Sequence, residues 1–171
     1  MRDVHNNALR WALALMLIMG VSPGMAQTRW PADGWQVMPT QQSYATLLSR
    51  LKSAITANNM GIVTDVGPTQ TAAQRGVNIP GNRVVGVFRN DLAVEILRLS
   101  VPAMIEAPIR FYVTESEDGT ATLSWKQPSA IFSPYIAGLE TPGEAESLSD
   151  IAARLDTIFA DIAEAATRQT S

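Results

Sequence analysis

Apolar positions recur along this chain with two periods, and the periods alternate. In QQSYATLLSRLKSAITANNMG, Tyr44, Leu47, Leu48, Leu51 and Ile55 fall at i, i+3, i+4, i+7 and i+11, one stripe on a helix. Asn58, Asn59 and Gly61 fit its end. Near the C-terminus Leu148, Ile151, Leu155, Ile158, Phe159 and Ile162 line one face of a second long helix, with Ser147 and Asp150 as a capping-box-like start. Period two governs residues 109–115 and 120–126. Ile109, Phe111 and Val113 alternate with Arg110, Tyr112 and Thr114; Ala121, Leu123 and Trp125 alternate with Thr122, Ser124 and Lys126. Ser116-Glu117-Asp118-Gly119 between them predicts a hairpin turn.

Shorter signals fill the intervals. Residues 35–38 predict a short strand stopped by Pro39 and Thr40, and the β-branched run 62–66 a second. In GIVTDVGPTQTAAQRG that second strand meets a Gly67-Pro68 turn and a short helix over 69–75. Residues 77–81 read as a turn, and 82–89 as a central strand, apolar on both faces. Asp91 is placed to cap the helix LAVEILRLS, with Glu95 near its positive end. Residues 100–107 suggest a covered apolar loop, and 127–146 a long Pro/Gly-bearing connection. The expected order is β-α-β-α-β-α-β-β-α. Alternating strands and a strong hairpin predict an α+β fold, an antiparallel-rich sheet with two long helices packed on one face.

Composition adds a compartment. Arg2 and Arg10, the uncharged run of 11 residues from Trp11 to Val21, and small residues before Ala26 form the three-part pattern of a secretory signal peptide over 1–26. The run falls short of the roughly 20 residues that span a bilayer, so stable membrane insertion after cleavage is not expected; the rival is an uncleaved anchor. With no cysteine in the chain, lipid attachment at a cysteine is excluded. Residues 27–34 then form an extended leader, 35–166 a single domain and 167–171 a tail. Cleavage would leave 145 residues with 15 acids, 11 bases and a net charge of −4. Such a domain lacks the positive field that attracts nucleic acid. The only histidine, His5, lies in the signal. A Ser-His-Asp triad, a Cys-His pair, the usual zinc sets and His-ligated haem are therefore excluded, and no cofactor or metal is expected.

Candidate chemistry is sparse. The Gly67 turn lacks the lysine and glycine spacing of a phosphate loop and reads first as a strand–turn–helix connection. Arg75, Arg83 and Arg89 lie within fifteen residues, and Arg83 and Arg89 share strand parity. They can fork onto an anion or form ion pairs with Asp65 or Asp91 on a solvated face. Glu115, Glu117 and Asp118 lack the loop of a calcium site. Asp65 and Glu106 are conceivable partners for acid–base work. Tyr112, Trp125, Phe132 and Tyr135 read as core or sheet surface before they read as a ligand box. Met38, Met60 and Met104 are scattered and have no histidine beside them for copper.

Four stretches carry a family resemblance: SYATLLSRLKSAITANNMGIV, the Asp65 turn with TAAQRG, VVGVFRND, and APIRFYVTESEDGTATLSWKQP. Together they make residues 35–128 resemble the bacterial domain-of-unknown-function 302 family, with its TT1751-like fold. Family members often carry a histidine where this chain has Val66, and a glycine and a proline where Arg89 and Asp91 flank Asn90. The resemblance implies a compact α+β domain of the TATA-binding-protein-like class, able to dimerise, with no established reaction. It draws attention to Asp65, Phe88 and Asn90. The candidate ligand-binding residues are thus Asp65, Arg75, Arg89 and Asn90, with no catalytic residue assigned. The expected function is an exported, periplasmic or secreted, non-enzymatic binding or accessory domain for a small ligand or a protein partner. An enzyme using Asp/Glu and Arg chemistry and a structural homo-oligomer are the alternatives.

Overall fold

The computed structural model describes residues 30–31 and 33–168; the expected signal over 1–26 lies outside the described residues. The elements run β1 (Trp35–Ser43), α1 (Tyr44–Ala57), β2 (Gly61–Val66), α2 (Thr69–Gln74), β3 (Asn82–Phe88), α3 (Asn90–Leu99), a 3-10 turn (Pro102–Glu106), β4 (Ile109–Glu115), β5 (Thr120–Lys126), α4 (Pro128–Ala137) and α5 (Pro142–Thr167). The strands form one five-stranded sheet in the order β1-β5-β4-β3-β2. Every pairing is antiparallel. This is the α+β architecture that the alternating strands imply.

Strand parity divides the sheet into two unlike faces. Val85 and Val87 of β3, Phe111 and Val113 of β4, and Leu123 of β5 are all buried on one face. That face receives Leu47, Leu51 and Ile55 of α1 and Leu148, Leu155, Phe159 and Ile162 of α5, all buried in the same core. Phe159 stacks on Phe111 with ring centroids 4.5 Å apart, pinning α5 to the middle of the sheet. A helix of 26 residues spans about 39 Å, enough to cross the sheet.

Several sequence expectations need correction. β1 does not stop at Pro39: it continues to Ser43 through a register shift, with Pro39 on an edge strand where no ladder N–H is required of it. Of the residues expected to end α1, Asn58 is the C-cap and Asn59 takes the left-handed position with φ 56°, but Gly61 begins β2. Arg89 occupies the N-cap position of α3, so Asp91 lies within the first turn. The segment 100–107 contains the 3-10 turn, and only part of it is covered: Ala103 is buried while Val101 and Ile105 are exposed.

The largest difference is the expected connection 127–146, most of which is helical. Pro128 is tolerated at the start of α4 because a first-turn N–H has no intrahelical partner. Pro134 inside α4 removes a bond to the Ala130 carbonyl, and the Ser133 hydroxyl donates to that carbonyl instead, at 3.3 Å. α5 likewise starts five residues before Ser147, with Pro142 in its first turn. Ser147 is interior, its hydroxyl donating to the Gly143 carbonyl at 2.7 Å.

Candidate functional site

The face of the sheet opposite α1 and α5 holds a recess. Register places Trp35 of β1, Lys126 of β5, Arg110 and Tyr112 of β4, and Asn82 and Val84 of β3 on this face. These six residues, with Trp125 of β5 and Ile131 of α4, line a pocket of about 380 Å³. That volume lies within the range of small-molecule sites. Trp35, Tyr112 and Val84 are half-buried, while Arg110 and Lys126 are exposed.

Local structure explains the shape. Gly34 adopts φ 70°, and a Cβ there would come within 2.6 Å of the Ala130 Cβ. Its carbonyl accepts from the Gln127 N–H at 2.7 Å, which ties the start of β1 to the start of α4 and sets the Trp35 ring beside Lys126. The Lys126 ammonium sits 5.6 Å from the centre of that ring. Trp30 adds a third ring, 5.4 Å from Trp35 and 6.0 Å from Tyr112. The Asn82 amide donates to the Tyr112 hydroxyl and holds the ring in place. Gly86 faces Arg110 across the ladder, and a Cβ there would lie 2.1 Å from the Thr64 hydroxyl and 3.0 Å from Pro108. The glycine thus lets Thr64 and Pro108 close in beside the pocket.

Charge on this face is one-sided. Register places Trp35, Val37 and Pro39, Thr122, Ser124 and Lys126, Arg110, Tyr112 and Thr114, Asn82, Val84 and Gly86, and Thr64 and Val66 there. None is acidic and two are cationic. Arg110 and Lys126 form no salt bridge among the described residues. A domain that is acidic overall therefore presents a local positive spot beside aromatic surface.

The residues singled out from sequence lie elsewhere and do not form one group. Asp65 is on the helix-side face of β2, where it pairs with Lys52 of α1 and, at 3.5 Å, with Arg83 of β3. The Arg83 Nε is buried and unaligned for a hydrogen bond, so only the Coulombic attraction of that pair is realised. Arg89 chelates Asp91 through Nε and Nη2, with contacts of 2.8–3.1 Å. That guanidinium holds the Asp91 carboxyl down to about 2, and the carboxylate in turn raises the arginine. Arg83 and Arg89 share parity but not a site. Arg89 lies four residues beyond Val85, the partner of Asp65, which is about 13 Å of strand. Arg89 also borders a crevice of about 30 Å³ with apolar walls, room for roughly one water. Asn90 is the exposed first residue of α3. Arg75 follows α2 and has no salt bridge among the described residues.

Two further candidates are accounted for locally. α2 has only six residues, and the Thr69 hydroxyl donates to the Pro80 carbonyl at 3.1 Å. Glu106 accepts a 2.7 Å hydrogen bond from the Tyr135 hydroxyl. That bond raises the phenol above its ordinary value, with desolvation acting in the same direction. No group of three His, Cys, Asp or Glu able to hold a metal occurs among the described residues. No helix among them is long and apolar enough to cross a membrane.

An antiparallel sheet with its long helices confined to one face defines the class, and comparison with known proteins defines the family. The family model described as "Domain of unknown function DUF302" matches residues 36–162. This chain belongs to that family, and the match extends through α4 into α5. The crystal structure of an uncharacterized conserved DUF302 protein from Bacillus stearothermophilus superposes with a TM-score of 0.60 at 15% identity, covering 76% of this chain and 98% of the other. That likeness concerns the fold. No curated protein matches this sequence.

Sequence reasoning missed Arg110 and Lys126, although the hairpin alternation had placed both on the polar side. Their signal was the lack of any acid among the polar-side partners of Arg110, Tyr112, Ser124 and Lys126.

Proposed function

We propose that this chain is an exported, non-catalytic binding domain whose ligand site is the aromatic pocket on the face of the sheet opposite α1 and α5. One observation carries the reading: a recess of about 380 Å³ lined by Trp35, Tyr112 and Val84 and flanked by Arg110 and Lys126, which form no salt bridge among the described residues. The individual pairings of Asp65, Arg89 and Glu106 support binding over chemistry, because each group already has a local partner. In the same reading, Asp65, Arg75, Arg89 and Asn90 serve the fold and its surface, not ligand capture. A small-molecule panel screened by thermal shift tests the reading. At least one compound should raise Tm, and Tyr112→Ala should abolish the shift while the circular dichroism spectrum stays unchanged. Absence of any shift, or a shift that survives Tyr112→Ala, overturns it.

Export rests on the composition of residues 1–26. Osmotic-shock fractionation of cells expressing the full chain should release a product shortened by those residues; full-length protein in the spheroplasts refutes export.

A specific observation supports self-association as a second reading. All six residues of the edge strand β2 are exposed, including Ile62, Val63 and Val66, and Val77 and Ile79 add apolar surface nearby. An unpaired apolar edge is a template for another strand. Light scattering should then give a dimer that Val63→Lys converts to monomer; a monomer at every concentration refutes it.

A further inference from the structure

The pocket's chemistry narrows its ligand. Resting on the proposal that the face opposite α1 and α5 is the binding site, we infer that the ligand is a small aromatic carboxylate, its ring against Trp35 and Tyr112 and its carboxylate between Arg110 and Lys126.

Three observations lead there. The wall is made of flat rings: Trp35 and Tyr112 line the pocket, with Trp30 packed against both. Flat rings favour a flat apolar body, through area burial and offset or edge-on stacking. Arg110 and Lys126 share the face, have no carboxylate partner among the described residues, and lie on neighbouring central strands. A guanidinium with a free fork matches a carboxylate in two parallel hydrogen bonds. Lys126 adds a point charge from beside the Trp35 ring. Among the described residues no acid on this face opposes an anion, so a cationic ligand meets two like charges and no counter-charge there.

The same rings and cations suggest single-stranded nucleic acid as a rival. Two cations are too few to track a phosphate backbone, and the acidic remainder of the domain repels one.

Calorimetry with 2-naphthoate, its neutral isostere 2-naphthamide and the oligonucleotide dT8 separates the possibilities, with the Trp35 indole N–H followed by NMR. The naphthoate should bind at least tenfold more tightly than the amide and shift the Trp35 resonance. Arg110→Gln should weaken the naphthoate about tenfold and leave the amide unchanged, as expected for loss of one charge-assisted interaction. Arg110 is exposed, so this variant should retain the fold. If the amide binds as tightly as the naphthoate while the Trp35 resonance still moves, the carboxylate inference falls and the pocket reading stands. If neither compound moves that resonance, the carboxylate inference falls and the pocket reading rests on the wider panel. Binding of dT8 without naphthoate assigns the face to nucleic acid and overturns the inference.

Discussion

Replacing Phe159 by alanine tests whether α5 is held by the sheet's central strand. Phe159 and its stacking partner Phe111 are both 0% exposed, with ring centroids 4.5 Å apart. Truncating a buried phenylalanine costs about 3–5 kcal/mol through lost transfer energy and the cavity left behind. Roughly 0.5–1.5 kcal/mol of that belongs to the aromatic pair. A domain of this size unfolds in urea with an m value of about 2 kcal/mol per molar. The midpoint should therefore fall by about 2 M, leaving a folded protein if the starting stability is near the middle of the usual 5–15 kcal/mol. Phe159→Leu keeps most of the volume and should cost about 1.5 kcal/mol or less. Urea melts followed by far-ultraviolet circular dichroism and by fluorescence of Trp125, itself in the core, should coincide. A double-mutant cycle with Phe111→Leu should give a coupling of about 1 kcal/mol. A midpoint shift below about 0.5 M for Phe159→Ala, or no coupling with Phe111, would refute the claim that this contact anchors α5.

Three further outcomes follow from local geometry. A Cβ on Gly67 would lie 2.0 Å from the Asn82 carbonyl oxygen, backbone that cannot rotate away, whereas Gly76 has open space but φ 77°. Gly67→Ala should thus cost about 3 kcal/mol and Gly76→Ala only about 1 kcal/mol; equal guanidinium melts would contradict this. Asp91, held down to about 2 by Arg89, favours folding above its ordinary 3.8, and this contribution is lost as pH falls from 3.8 through about 2. Because Asp91 is exposed, the stability change should be small, so the direct check is NMR titration of its carboxyl, which Arg89→Gln should return toward 3.8. The Tyr135 phenol is raised above 10.0 by donation to Glu106, so the pair favours folding below pH 10.0 and its contribution is lost as pH rises through the raised value. Glu106→Ala should move the phenol's ultraviolet titration down; an unchanged curve would show that the bond does not persist in solution.

The parts of the fold that were legible carry one strong period over many residues. The α1 stripe and the Ile109/Phe111/Val113 alternation each repeat one signal several times, and the core uses those positions. α4 was hidden because PSAIFSPYIA has apolar residues on all sides and two prolines, and its helicity depends on packing against α5 and the 3-10 turn. The early start of α5 was hidden because Pro142 and Gly143 look like punctuation, and only Thr141 at the N-cap position shows that proline opens a helix there. For the site, the expected ion pairs to Asp65 and Asp91 both form, but apart from each other. Arg83 and Arg89 share strand parity, but β3 ends between them, so each turns to a different carboxylate. Arg110 and Lys126 come from opposite arms of the hairpin, and the pocket they flank also needs β1 and β3, whose neighbours no local pattern specifies.

The strand order has a consequence for the timing of folding. β1 is the first strand in the chain, yet its only neighbour is β5, with Trp35 opposite Lys126. Its hydrogen-bonding partner begins only at Thr120, after α1, β2, α2, β3, α3 and β4 have been made, so β1 must wait as an open chain while the hairpin and β3 assemble. Closure over so long a separation is slow, in the millisecond-to-second range typical of non-local sheets. The aromatic pocket, with Trp35 as one wall, is therefore among the last features to form, and a chain interrupted before Lys126 has no pocket at all.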